Sequence, residues 1–165
     1  VSRGLGDVYK RQSPIKSNYQ NFMIQKATEL GVTKFLPIIF DRTVVRKINK
    51  ERFEKIVIEA SEQSNRMNVP SIENPQTLDG FLKKNSMDLI FTDLNSNNIK
   101  VDKLKLIDKP VCIIIGPEGD FSKSEFEQLE NNDKFYPVSL GTTVLKSETA
   151  AIVATALLKN EINNA

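Results

Sequence analysis

"IIIGPEGDFSKSEF", residues 113–126, decides the fold of this chain. An aliphatic run that begins at Val111 and Cys112 meets two glycines, a proline and two acids. Ser122 and Glu125 follow in the S-x-x-E spacing of a helix capping box. An apolar run that is continuous rather than alternating marks a strand covered on both faces, as in a parallel sheet. The stretch therefore reads as buried strand, tight loop and capped helix, the helix reaching about Glu130.

The arrangement recurs downstream. "FYPVSL" is a strand, "GTTVLK" a loop, and "SETAAIVATALLKN" an alanine-rich helix started by Ser147. Upstream, Met23, Ala27 and Leu30 recur at helical spacing from Ser17 to Leu30, and Gly31 is placed to end that helix. "KFLPIIF" reads as a short strand broken or bent at Pro37. Lys50 to Arg66 is a second helix, with Phe53, Ile56, Val57 and Ala60 on one face. An extended piece near Ile72, a small helix at Leu78 to Leu82 and the strand "MDLIFTDL" complete the series. Strands alternating with helices predict an α/β sandwich with a mostly parallel sheet. "VSRGLGDVYKRQ", Val1 to Gln12, has little apolar periodicity. It reads as a junction-derived or disordered leader, which leaves residues 13–165 as the domain.

Composition narrows the chemistry. The 165 residues suit one domain. With 23 basic and 21 acidic residues the net charge is only +2, so overall charge says nothing about nucleic acid. One cysteine excludes a disulfide framework, and the absence of histidine removes Ser-His and Cys-His catalysis and most zinc sites. No metal is expected, and no apolar stretch approaches a membrane span. A cytoplasmic protein is the default.

In open parallel sheets, ligands bind beyond the carboxyl ends of the strands. Three loops qualify: "TDLNS" after Phe91, "GPEGDF" after Ile115 and "LGTTVLKS" after Ser139. If their strands are neighbours, the loops share one rim. Neither G-x-x-x-x-G-K-[ST] nor a post-strand G-x-G-x-x-G occurs. Glu118 and Asp120 place negative charge where polyphosphate would sit, so a neutral or cationic ligand suits the loop better. The other reading is a tight turn whose acids simply favour the next helix N-terminus.

"QKATELGV" at 25–32, "EASEQSNRMNVP" at 59–70, "IIIGPEGDFSKSE" at 113–125 and "LGTTVLKSETAA" at 140–151 resemble the RsmE family. These are bacterial 16S ribosomal RNA uridine N3-methyltransferases of the SPOUT superfamily. The resemblance runs in order from about residue 14 to 160. It implies a SPOUT sandwich with a C-terminal deep trefoil knot, an exception to unknotted topology. It implies S-adenosylmethionine as cofactor, held by Thr92, Leu94, Ile115, Gly116, Glu118, Gly119, Leu140, Gly141, Val144, Leu145 and Thr149. It also implies a homodimer whose active site forms at the interface, acting on 16S rRNA within the 30S subunit. The resemblance leads to the expectation that the family's N-terminal PUA-like barrel is missing from this sequence, and Thr143 and Lys146 stand where the family usually has arginines. "GPEGG" is the commoner form of "GPEGD".

Methylation at N3 requires that the uracil proton be accepted and the developing charge stabilised. Glu148 is the candidate acceptor; Lys146 and Arg42 are candidates for the charge. Glu148 also reads as an ordinary first-turn acid. "DRTVVRKINKERFEK" is locally basic, and its Arg42 and Arg46 are candidate phosphate contacts, although a solvated helix face explains the same charges. Resemblance adds Lys26, Glu29, Gln63 and Arg66 as positions facing RNA or bracing a second subunit. Two other readings stand beside this one. A SPOUT ribose 2′-O-methyltransferase usually ends in an "SLNVS"-like segment, against which "KSETAA" argues. A truncated module would bind cofactor without catalysis.

Overall fold

In this computed structural model the described residues are 8–12, 17–43, 48–93, 99–100, 110–117 and 120–164. The first half runs β1 (Val8–Gln12), α1 (Ser17–Glu29), β2 (Lys34–Ile39), α2 (Lys50–Gln63), β3 (Ser71–Ile72), β4 (Gln76–Thr77) and α3 (Leu78–Leu82). The second runs β5 (Asp88–Asp93), β6 (Ile99–Lys100), β7 (Val111–Ile115), α4 (Lys123–Glu130), β8 (Phe135–Ser139) and α5 (Ser147–Asn164). The strands form one sheet in the order β3-β2-β1-β7-β5-β8-β6, with β4 also beside β2. Every pairing is parallel.

The aliphatic run behaves as its composition predicts. All five residues of β7 are buried. Val111, Ile113 and Ile115 join a core with Met23, Ile24 and Ala27 of α1, Phe53 and Val57 of α2, and Ala151, Ala154 and Leu158 of α5. Cys112 and Ile114 join the opposite core with Leu78 and Phe81 of α3 and Leu129 of α4. Period-two alternation thus divides one apolar run between two cores.

Three readings of the sequence need correction. Val8–Gln12, left outside the fold with the rest of the leader, forms β1 and pairs with both β2 and β7. The facing edges of β2 and β7 need backbone partners, which an extended segment supplies whatever its side chains. Apolar periodicity cannot report that demand. Pro37 does not break its strand, since β2 continues to Ile39. Phe35 accepts from the Glu73 N–H on the β3 side, so Pro37, two residues on, turns its missing donor to the same side. There β3 pairs only with Lys34 and Phe35, and β4 only with Ile38 and Ile39. The proline thus falls in the gap between two short partners. α2 stops at Gln63, three residues early, because Asn65 takes a left-handed φ of 54°.

Ile113 is fully buried against helices from both ends of the chain. Ile113→Ala is therefore expected to cost about 2–5 kcal/mol, read as a lower urea midpoint with unchanged slope.

Candidate active site

β5 lies between β7 and β8, and all three run parallel, so the three loops share one edge of the sheet. Phe91 pairs with Ile114, Thr92 with Val138 and Asp93 with Ser139, which brings the strand ends level. A cavity opens there, lined by Thr92, Asp93, Leu140, Gly141, Thr143, Leu145 and Ala150. The condition attached to the sequence reading, that these strands be neighbours, is met.

Of the expected cofactor residues, Thr92, Leu140, Gly141 and Leu145 line this cavity. Gly141 has a φ of 139°, a conformation that favours glycine. Ile115 is buried at the end of β7. Gly116 lies against Phe121, and a Cβ at Gly116 would come within 3.1 Å of that ring. Val144 and Thr149 are exposed and do not line the cavity. Leu94, Glu118 and Gly119 lie outside the described residues. Asp93 and Thr143 line the cavity although the motifs do not assign them to cofactor, and Ala150 lines it as a small residue that keeps α5 slim beside the ligand site. Asp93 was findable as the acid of "TDLNS"; a lining role for Ala150 leaves no mark beyond a small side chain.

The loop behind β7 is tightly held. The Asp120 N–H donates to the Pro117 carbonyl at 3.0 Å, and Asp120 has a left-handed φ of 64°. That angle explains the family's usual glycine here, and aspartate is among the few side chains that tolerate it. Ser122 and Glu125 form the expected capping box at the start of α4. The Phe121 ring packs edge-on against Phe40 and Phe91, with centroids 5.1 and 5.4 Å away.

The catalytic candidates sit around the rim. Lys146 precedes α5, its carbonyl accepting from the Ala150 N–H at 2.8 Å, and its ammonium lies 5.4 Å from the centre of the Tyr19 ring. Tyr19, in the first turn of α1, was not anticipated. Glu148 is half-buried in the first turn of α5, and Arg42 is exposed in the loop after β2.

Most of the RNA candidates lie elsewhere. α1 and α2 return across the sheet, so Lys26, Glu29, Gln63 and Arg66 stand near the amino ends of the strands. A six-residue strand such as β2 separates them from the cavity by about 20 Å. Lys26 pairs with Glu29 at 2.9 Å. Arg66 turns inward and donates to the carbonyls of Thr28 and Val32 at 2.7 and 2.8 Å, bracing the end of α1. Burial lowers its pKa from the ordinary arginine value. Arg46 lies outside the described residues.

A family model described as an RNA methyltransferase domain matches residues 5–159. The chain belongs to that family. The resemblance to RsmE carried by the four motifs holds as well. The chain is 38% identical over 148 residues to the ribosomal RNA small subunit methyltransferase E of Rickettsia conorii, covering 88% of this chain and 61% of that one. It thus spans about three fifths of the length of that relative. The crystal structure of a ribosomal RNA small subunit methyltransferase E from Neisseria gonorrhoeae, bound to S-adenosyl methionine, superposes with a TM-score of 0.86 at 29% identity. That match covers 95% of this chain and 67% of the other. A Legionella pneumophila protein with bound SAM gives 0.85 at 32% identity, over 97% of this chain and 69% of the other.

The left-handed turn at residue 120 is open to test by urea unfolding. Asp120→Gly is expected to stay within about 1 kcal/mol of the parent. Asp120→Val, which adds a β-branched side chain at that angle, is expected to cost about 1–2 kcal/mol.

Proposed function

We propose that this chain is the catalytic domain of an S-adenosylmethionine-dependent methyltransferase acting on N3 of a uridine in 16S rRNA of the small subunit. The observation that carries the reading is the shared rim of β7, β5 and β8, with its cavity, in a chain of the RNA methyltransferase domain family.

The lining chemistry fits the cofactor. Leu140 and Leu145 offer apolar surface for a flat base, Thr92 and Thr143 offer hydroxyls, and Asp93 offers negative charge for a ligand bearing a sulfonium and an ammonium. None of the described lining residues is basic, which disfavours a polyphosphate. When bound, S-adenosylmethionine supplies an electrophilic methyl group to the uridine nitrogen. The protein's part is to hold the reactants in line, a positioning effect that reaches about 7–11 kcal/mol in favourable cases. Glu148 accepts the N3 proton, and Lys146 or Arg42 stabilises charge on the uracil oxygens.

In this reading the domain works as a homodimer in the cytoplasm on the 30S particle, and its C-terminal segment is threaded as a trefoil knot. The knot rests on the resemblance carried by the four motifs and on the match to the RNA methyltransferase domain family. Tyr19, Phe22 and Leu157 leave apolar surface on the neighbouring helices α1 and α5, which supports self-association. Lys26, Glu29 and Gln63 lie far from their own chain's cavity and become useful to RNA only if a second subunit brings them near another. That distance also favours the second reading, a module that binds cofactor without transferring methyl. No helix among the described residues is long and apolar enough to cross a membrane.

Calorimetry with S-adenosylmethionine and methylation of 30S particles, read by nucleoside mass spectrometry, test the proposal. N3-methyluridine is the expected product; a 2′-O-methyl product refutes the N3 assignment, and binding without transfer favours the module. Ala150→Leu, which fills the cavity from α5, is expected to lower cofactor affinity at least about tenfold, or 1.4 kcal/mol, with helical circular dichroism retained. Lys146→Ala is expected to lower kcat about tenfold or more while leaving cofactor affinity unchanged.

A further inference from the structure

The loop after β2 and the loop after β7 are not adjacent in the sheet, because β1 lies between their strands. The two exits stand about 10 Å apart at ordinary strand spacing. Side chains bridge that span. The Asp41 N–H donates to Glu125 Oε1 at 2.7 Å, and the Ser122 N–H donates to Glu125 Oε2 at 2.9 Å. The Ser122 hydroxyl donates to Asp41 Oδ2 at 2.7 Å. One carboxylate, only 4% exposed, therefore accepts from two segments more than eighty residues apart in sequence. The Phe40 and Phe121 rings, each next in sequence to a bridged residue, pack edge to face.

The loop after β2 is itself kept compact. The Phe40 N–H donates to Thr43 Oγ1 at 2.9 Å, and the Thr43 N–H returns to the Phe40 carbonyl at 3.0 Å. Arg42 sits within that turn, directly after Asp41. A capping box needs its glutamate to reach only its own N-cap. Here the second oxygen is spent on Asp41, a bond that helix capping does not require. Charge-assisted bonds of this kind are strong and directional where water is excluded.

We propose that Glu125 and Asp41 are positioning residues of the methyl-transfer site. They clamp the Arg42 turn to the loop after β7, so that occupation of that loop, which the family resemblance assigns to the cofactor, orders the side chain offered to RNA. The inference rests on the methyltransferase reading and deepens it. Removing the clamp is expected to leave cofactor binding intact and to misplace Arg42.

Asp41→Ala removes the acceptor of the Ser122 hydroxyl and spares the capping box. On 30S particles at saturating S-adenosylmethionine, kcat is expected to fall about tenfold, with cofactor affinity from calorimetry within about twofold of the parent. Asp41→Asn, whose amide oxygen still accepts, is expected to restore most of the loss. Hydrogen exchange supplies a readout independent of turnover. Added S-adenosylmethionine is expected to slow exchange in the loop after β7 and also at Phe40, Asp41 and Thr43. In Glu125→Gln the second effect is expected to disappear while the first remains. Unchanged kcat in Asp41→Ala, equal losses of kcat and cofactor affinity, or failure of Asp41→Asn to rescue would overturn the clamp. Protection confined to the loop after β7 in the parent would also overturn it, while leaving the cofactor reading intact. No binding heat and no protection at either loop would overturn the cofactor reading and the clamp's role with it.

Discussion

Val111, Ile113 and Ile115 enter the core beneath α1, α2 and α5, while Cys112 and Ile114 enter the core beneath α3 and α4. A strand buried on both faces needs neighbours on both edges, because its backbone groups have no water to turn to. β1 fills one edge of β7 and β5 the other, and β5 in turn takes β8. The site is a consequence of this packing. Once β7, β5 and β8 run side by side in the same direction, the loops that leave them have one rim to occupy.

The rim is held by polar contacts as well as by the sheet. The capping box at Ser122 and Glu125 starts α4, and the same carboxylate reaches the turn after β2. Phe121 fills the space between Phe40, Phe91 and Gly116, so three strand exits meet on one ring. A site built this way has rigid walls. Asp93, Thr143 and Ala150 line the cavity, whereas Gly116 and Phe121 are bound to each other by contact.

Much of this was legible beforehand. The two-faced burial of β7, the capped α4, the bounds of α3 and the convergence of three loops follow from periodicity, capping chemistry and strand composition. What escaped was set by backbone demand or by distance. β1 carries no apolar pattern that marks it as an internal strand. The place of Pro37 depends on where two short partners begin and end. Arg66 sits in a motif that reads as RNA-facing, yet its guanidinium satisfies two carbonyls at the end of α1. Lys26, Glu29 and Gln63 share motifs with the family but stand at the opposite edge of the sheet from the cavity.

By itself the sequence determined the layers, the helix starts and which loops bear the chemistry, because these depend on contacts within a few residues and on which side chains avoid water. Only the tertiary structure decided that β1 belongs inside the sheet, that Glu125 reaches Asp41, and that Asp93 rather than Val144 faces the cavity. Those outcomes depend on strand order and on segments distant in sequence meeting in space, and no local pattern of side chains encodes such a meeting.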